Sequence, residues 1–186
     1  MGQDVRMASD FDAVSDQQTK PMRFYATYPF EIDSKRRVQL PAKWRPPSIQ
    51  DGGRRVAVIE VEFMLTLTRV RSDSCACITA MPAEVFEAYA RKVDGLPLLD
   101  PAAERLRRFL GSRSEPVTMD SAGRITLPKW MADKVGIAQK TDSDQNSGKV
   151  VLRGEVDRFS IWSKQKFDAD EIENQKEDDQ ELENQI

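Results

Sequence analysis

The feature that most constrains this chain is that one short segment occurs in it twice. Residues 29–41, Pro-Phe-Glu-Ile-Asp-Ser-Lys-Arg-Arg-Val-Gln-Leu-Pro, align without a gap on residues 116–128, Pro-Val-Thr-Met-Asp-Ser-Ala-Gly-Arg-Ile-Thr-Leu-Pro. The opening proline, the Asp-Ser pair, an arginine and the closing Leu-Pro coincide. Apolar positions stay apolar: Phe30 with Val117, Ile32 with Met119, Val38 with Ile125. Such self-similarity marks a chain built from two copies of one small unit. The length of the chain suits one domain of ordinary size or two small intertwined units.

The local chemistry of the repeat is readable. Phe30 and Ile32, then Val38 and Leu40, alternate as half-buried strands do. Between them lies a turn, because aspartate accepts from nearby backbone N–H groups and Gly123 tolerates positive φ. Asp33 and Asp120 stand before the turns, and Arg37 and Arg124 just after them. Such a pair can bond across the turn and pin its shape. Leu-Pro then ends each strand, and proline suits a first helical position, so helices start at Ala42-Lys43-Trp44 and at Lys129-Trp130-Met131-Ala132. Apolar strand patterns follow at 56–70 in the first copy, and at Val150-Val151-Leu152 and Phe159-Ser160-Ile161-Trp162 in the second.

Two helices are expected between the copies. The first opens at Met81-Pro82, with Val85, Phe86, Tyr89 and Val93 at helical spacing. Gly95, Pro97 and Pro101 break it. The second covers 102–110, presents Leu106, Phe109 and Leu110 as its apolar face, and ends at Gly111. Its Arg105, Arg107 and Arg108 read as solvating cations rather than phosphate ligands.

Charge divides the chain further. It carries −3 overall, but residues 1–19 carry −3 and residues 168–186 carry −8, which leaves +8 on the body between them. Blocks of like charge with few apolar residues seldom fold alone. The expected organisation is an acidic, disordered tail at 1–20, a first unit at 21–83, connecting helices at 84–113, a second unit at 114–167, and a mostly disordered acidic tail at 168–186, part of which (170–182) could form a helix. The polar stretch 141–148 reads as a solvent loop. The basic body fits a polyanionic partner.

Several functions are disfavoured by composition. The chain has no histidine, so no Ser-His or Cys-His nucleophile pair and no histidine metal site is available. Cys75 and Cys77, one residue apart, are poorly placed to bridge each other and read as strand thiols. No enzymatic activity and no cofactor are expected. No apolar run approaches the roughly 18–20 residues of a membrane span, and the first residues lack the basic-then-apolar pattern of a secretory signal. The expected setting is the cytoplasm, with no membrane partner.

With these residues in view, the chain resembles the MraZ family, whose two halves are SpoVT/AbrB-like units. The carrying motif is Asp-x-x-x-Arg, an apolar residue and Leu-Pro, present twice. The likeness runs in order through Leu65-Thr66-Leu67-Thr68-Arg69, the Pro82 helix, Leu96-Pro97, the arginine-rich helix, Asp120-Ser121-Ala122-Gly123-Arg124 and Asp157-Arg158-Phe159-Ser160-Ile161-Trp162, covering about residues 23–167. It implies a mainly β fold with α elements (α+β), a pseudo-two-fold swapped-hairpin β-barrel of the AbrB type with helices between and after the repeats. It further implies a sequence-specific regulator of transcription, a repressor, on repeated operator boxes in double-stranded DNA upstream of the division and cell-wall gene cluster, its own gene included. Self-association into a ring and a place at the nucleoid go with it. Carried onto this sequence, Arg37 and Arg124 are the main DNA contacts and Lys35 and Arg36 accompany them. Asp33, Asp120 and Gly123 hold the turns. One departure stands out: Arg36 occupies a place where the family has glycine. Either the first turn never needed positive φ, or it carries strain there; an added phosphate contact is a further use for the side chain. The alternative is an AbrB-fold antitoxin-like protein whose main partner is a toxin. The acidic tail keeps it open, and two fused units argue against it.

Overall fold

The computed structural model describes residues 21–46, 50–51, 54–55, 61–69, 75–137 and 148–183. The expected N-terminal tail, most of the 141–148 loop and residues 56–60 lie outside them. Ten strands are described: β1 (Thr27–Glu31), β2 (Arg37–Gln39), β3 (Gln50–Asp51), β4 (Arg54–Arg55), β5 (Glu62–Arg69), β6 (Cys75–Pro82), β7 (Ser114–Thr118), β8 (Arg124–Thr126), β9 (Lys149–Gly154) and β10 (Phe159–Ser163). Four α-helices accompany them: α1 (Ala83–Asp94), α2 (Pro101–Arg113), α3 (Lys129–Val135) and α4 (Lys164–Glu183). The fold is mixed α+β with antiparallel sheets, as the sequence implies.

Strand order is the informative part. Six strands form one sheet in the order β1-β9-β10-β6-β5-β7, and β2 pairs with β8 in a separate two-stranded ribbon. Exchanging β1 with β7, β9 with β5, and β10 with β6 returns the same order, so the sheet has the two-fold pattern of the repeat. The halves interleave: β1 of the first copy lies on β9 of the second, and β7 of the second lies on β5 of the first. The expected barrel closure is not seen in this pairing. The sheet is open, with β1 and β7 at its edges. Pro29 and Pro116 sit at matching places on those two edge strands, opposite Val151 and Met64. Proline has no N–H for a ladder and is tolerated at an edge.

One apolar core serves both copies. Ile32, Val38 and Leu40 from the first repeat and Met119, Ile125 and Leu127 from the second are buried together. Phe24, Trp44, Phe63 and Phe159 add a cluster of aromatic rings with centroids 5.1–6.3 Å apart, most of them edge-on or tilted as ring quadrupoles favour. Burying each such side chain stabilises the fold by roughly 1.5–3 kcal/mol, and neither repeat can collect this area alone.

Helix boundaries show which local signals won. The helical start after the first Leu-Pro makes only one 3-10 turn, Ala42–Trp44. Pro46 follows, and the residue before a proline is pushed to extended backbone; Arg45 has φ −89° and ψ 148°. The matching segment of the second copy has no such proline and continues as α3. In α2, Asp100 accepts from the Ala102 N–H at 2.8 Å and Pro101 takes the first position, a strong start. Its end was expected at Gly111, but the helix runs through Gly111 to Arg113. Gly111 has open space around it, and one mid-helix glycine costs only about 1 kcal/mol.

The acidic segment from residue 168, expected mostly disordered with a helix possible at 170–182, carries a helix: α4 runs from Lys164 to Glu183. Its first turns are docked. Asp170 is buried and receives Arg153 Nη1 at 2.9 Å, and the Arg153 guanidinium lies 4.7 Å from the Trp162 ring centroid and 5.8 Å from that of Phe167. Cys77, beside Trp162, is a free thiol pushed up to about 12 by burial and by the nearby Glu155 charge, which makes it inert. No described helix is long and apolar enough to cross a membrane.

Candidate functional site

Both repeated turns are built the same way. In the first, the Asp33 carboxylate accepts from the backbone N–H of Lys35 and of Arg37, each at 2.9 Å, through one oxygen. The other oxygen takes Arg37 Nε at 2.6 Å. In the second, Asp120 accepts from the N–H of Ala122 and Arg124, each at 2.9 Å, and from Arg124 Nε at 2.9 Å and Nη2 at 2.8 Å. The Arg36 N–H bonds the Asp33 carbonyl and the Gly123 N–H bonds that of Asp120, at 2.9 and 2.8 Å. The expected Asp–Arg clasp is therefore present twice. It orients two guanidinium groups that remain about one-third exposed.

The electrostatics follow from this geometry. The Arg37 backbone N–H, opposed only by partial desolvation and helped by the Arg37 side chain and the Lys35 N–H, holds the Asp33 carboxyl below its ordinary range. Burial opposes ionisation of Asp120, but the Arg124 N–H, its guanidinium and the Ala122 N–H outweigh it, and that carboxyl is also held low.

The turn conformation settles the question of Arg36. Its φ is +58°, beside +78° at Gly123, so the first turn does adopt the left-handed region, at a cost of roughly 1–2 kcal/mol for a residue with a Cβ. The Arg36 side chain is half-buried, and its Nε donates to the Leu127 carbonyl at 3.3 Å. The Leu127 N–H in turn donates to the Arg36 carbonyl at 2.9 Å. Lys35 is exposed at the tip of the turn.

The structure brings the two turns together through the ribbon. Arg37 faces Thr126, Val38 faces Ile125 and Gln39 faces Arg124. Successive strand residues point to opposite faces. Val38 and Ile125 are fully buried on one side, so Arg37, Gln39, Arg124 and Thr126 share the other. Arg37 and Arg124 are diagonal neighbours there, roughly 7–8 Å apart at Cα. Gln39 donates its amide to the Ala122 and Gly123 carbonyls, each at 3.0 Å, tying the first strand to the second turn. Gln39 and Thr126 were not singled out from the sequence. The signal was the two-residue alternation after each turn arginine, Arg37-x-Gln39 and Arg124-x-Thr126.

Of the α2 arginines, Arg107 acts as a structural lock. Arg107 Nη2 donates to the Val93 and Leu96 carbonyls at 3.3 and 2.7 Å, capping the end of α1, and Arg108 pairs with Glu104. Among the described residues no group of histidine, cysteine or acidic side chains has the arrangement of a metal site.

Comparison with known proteins bears on this surface. No family model matches the chain. Curated proteins do: a transcriptional regulator MraZ of Caulobacter vibrioides is 29% identical over 148 residues, 78% of this chain and 80% of that protein. Others of that name, from Nitrosomonas europaea and Coxiella burnetii, are each 26% identical over 147 and 146 residues, covering 79% and 78% of this chain and 85% and 83% of theirs. The match spans far more than the paired turns, and it places this chain among the relatives of the MraZ transcriptional regulators.

Proposed function

We propose that this protein is a sequence-specific DNA-binding regulator of transcription whose reading surface is the β2–β8 ribbon with its two turns. The observation that carries the proposal is the ribbon face that displays Arg37, Gln39, Arg124 and Thr126 while its other side is sealed into the core. The major groove of B-DNA admits a two-stranded ribbon. Arg37 and Arg124, oriented by their aspartates, donate to guanine O6 and N7. Lys35 and the N–H groups of Arg36 not committed to Leu127 meet phosphates, supplying affinity and salt dependence without sequence preference.

The exchange of β1 and β7 between halves supports the swapped-hairpin arrangement of the AbrB type. The resemblance to MraZ extends the reading to repression at repeated operator boxes upstream of the division and cell-wall genes and of the protein's own gene, in the cytoplasm at the nucleoid. No enzymatic role and no cofactor are proposed. Self-association belongs to the same reading, since one short ribbon buries little area and several joined copies on repeated boxes bind through effective concentration. A surface that supports it lies beside α1 and α2. Leu98 and Leu99 are 80% and 93% exposed, next to a groove of about 490 Å³ lined by Phe86, Val93, Leu96, Leu106, Phe109 and Leu110 among others.

The test is a fluorescence-anisotropy titration with DNA from upstream of the protein's own gene against scrambled DNA of equal length, at near-physiological salt. Wild type prefers the native DNA. Arg37→Ala or Arg124→Ala removes about 1–3 kcal/mol of that preference. Equal, weak, salt-sensitive binding to both DNAs by wild type would overturn the reading.

A further inference from the structure

The two turns meet the opposite half of the molecule at two junctions, and the junctions are filled differently. At the first, Arg36 of the turn donates Nε to the Leu127 carbonyl. At the second, the turn residue is Gly123, and the matching carbonyl, that of Leu40, is met instead by Arg45: Nε at 2.9 Å and Nη2 at 2.6 Å. Leu40 and Leu127 are equivalent in the repeat, as are Arg36 and Gly123. Continuing the same ungapped alignment past Leu-Pro sets Arg45 against Ala132. One junction therefore has arginine on the turn and alanine beyond the strand, and the other has glycine on the turn and arginine beyond the strand.

With Arg45 placed as it is, the two arrangements compete for one space. A Cβ on Gly123 would come within 2.5 Å of Arg45 Cδ and Nε and 2.8 Å of Cζ. Gly123 is thus small for two reasons: its φ of +78°, and the guanidinium that lies where its side chain would be. Ala132, fully buried, leaves the other junction without a second arginine. Each junction also carries one main-chain bond, Leu127 N–H to the Arg36 carbonyl and Leu40 N–H to the Gly123 carbonyl, both 2.9 Å.

We propose that Arg45 is the positioning residue of the second DNA-facing turn: it does for the turn that carries Arg124 what Arg36 does for the turn that carries Arg37. The proposal rests on the reading of the ribbon as the DNA surface for its functional part, and on packing alone for its structural part. Arg45 itself touches no base. It fixes where Arg124 stands by filling the space beneath Gly123 and bonding the end of β2.

The experiment moves the arginine from one side of the junction to the other. Four full-length proteins are compared: wild type, Arg45→Ala, Gly123→Arg, and the double variant. Thermal melting and amide exchange of residues 120–124 are read without DNA, and anisotropy with the upstream DNA and its scrambled counterpart is read beside them. Arg45→Ala lowers the melting temperature, speeds exchange in the turn and weakens binding to the upstream DNA about tenfold, the worth of roughly one charge-assisted hydrogen bond. Gly123→Arg sets two guanidinium groups against one carbonyl and is at least as damaging. The double variant recreates the first junction at the second and recovers most of each loss. A double variant that melts no higher than the worse single variant overturns the proposal. A rescue of melting and exchange with no preference for the upstream DNA even in wild type leaves the shared arginine cap standing and removes the DNA reading instead.

Discussion

Asp33 and Asp120 carry more of this surface than their size suggests. Each uses one carboxylate oxygen to close a turn through two backbone N–H groups and the other to aim an arginine. Both carboxyls titrate below their ordinary range in the folded chain. A group with a depressed folded pKa stabilises the fold above its unfolded value, and that contribution is lost as pH falls through the folded one. The turns are therefore held fully at neutral pH and released on acidification below about pH 4. Melting measured from pH 7 down to pH 3 should fall more steeply for wild type than for the Asp33→Asn, Asp120→Asn double variant; parallel curves would show that the carboxylates do not clamp the turns. These pairs were legible in the sequence because Asp-x-x-x-Arg places both partners on one turn. The strain at Arg36 was legible only as a question, since an arginine where its copy has glycine signals either strain or a different turn. Arg45 was not legible: its partner, the Leu40 carbonyl, lies only five residues away but carries no sequence signal, and its neighbour Gly123 meets it only through the exchange of halves.

The elements obey local rules until a tertiary contact overrides them. The 3-10 turn at Ala42–Trp44 and the helix α3 begin from equivalent Leu-Pro sites and part company at Pro46, a difference the sequence contains. The helix α4 is the opposite case. Its acidic composition argues for disorder, and what holds its first turns is remote: Arg153 on β9, stacked against Trp162 and Phe167 and bonded to buried Asp170. Arg153→Ala should cost about 1–2 kcal/mol in a denaturant titration, a value below that of a fully buried pair because Arg153 is 27% exposed. Helicity measured by circular dichroism should fall with it. An unchanged midpoint and spectrum would mean that the helix stands without this clasp. No periodicity pointed to the contact, because its partners lie 17 residues apart on a strand and a helix.

At the scale of the whole molecule, the repeat foretold two like units and left open that they share one core and in what order their strands pair. A gapless internal alignment shows that two units exist. It does not say that β1 pairs with β9 and β7 with β5, because pairing is fixed by which edges meet in space. The proposed assembly belongs to this scale as well. Leu98 and Leu99 sit in the α1–α2 connection that Arg107 locks through the Val93 and Leu96 carbonyls, so they are presented on a rigid base. Leu99→Asp should shift the sedimentation coefficient toward a single copy and abolish the advantage of several boxes over one. A variant that sediments like wild type would place any assembly contact elsewhere.

The palindromic strand order has one more consequence. When two separate identical chains interleave, every substitution is made twice, and both junctions must change together. Here the halves are covalently one chain, so a change on one side is felt once. Arginine can sit on the turn at one junction and beyond the strand at the other, and Gln39 can stand where its copy has Thr126. The molecule keeps the architecture of a symmetric dimer without the obligation of symmetry, and a DNA site read by such a ribbon is free to be asymmetric.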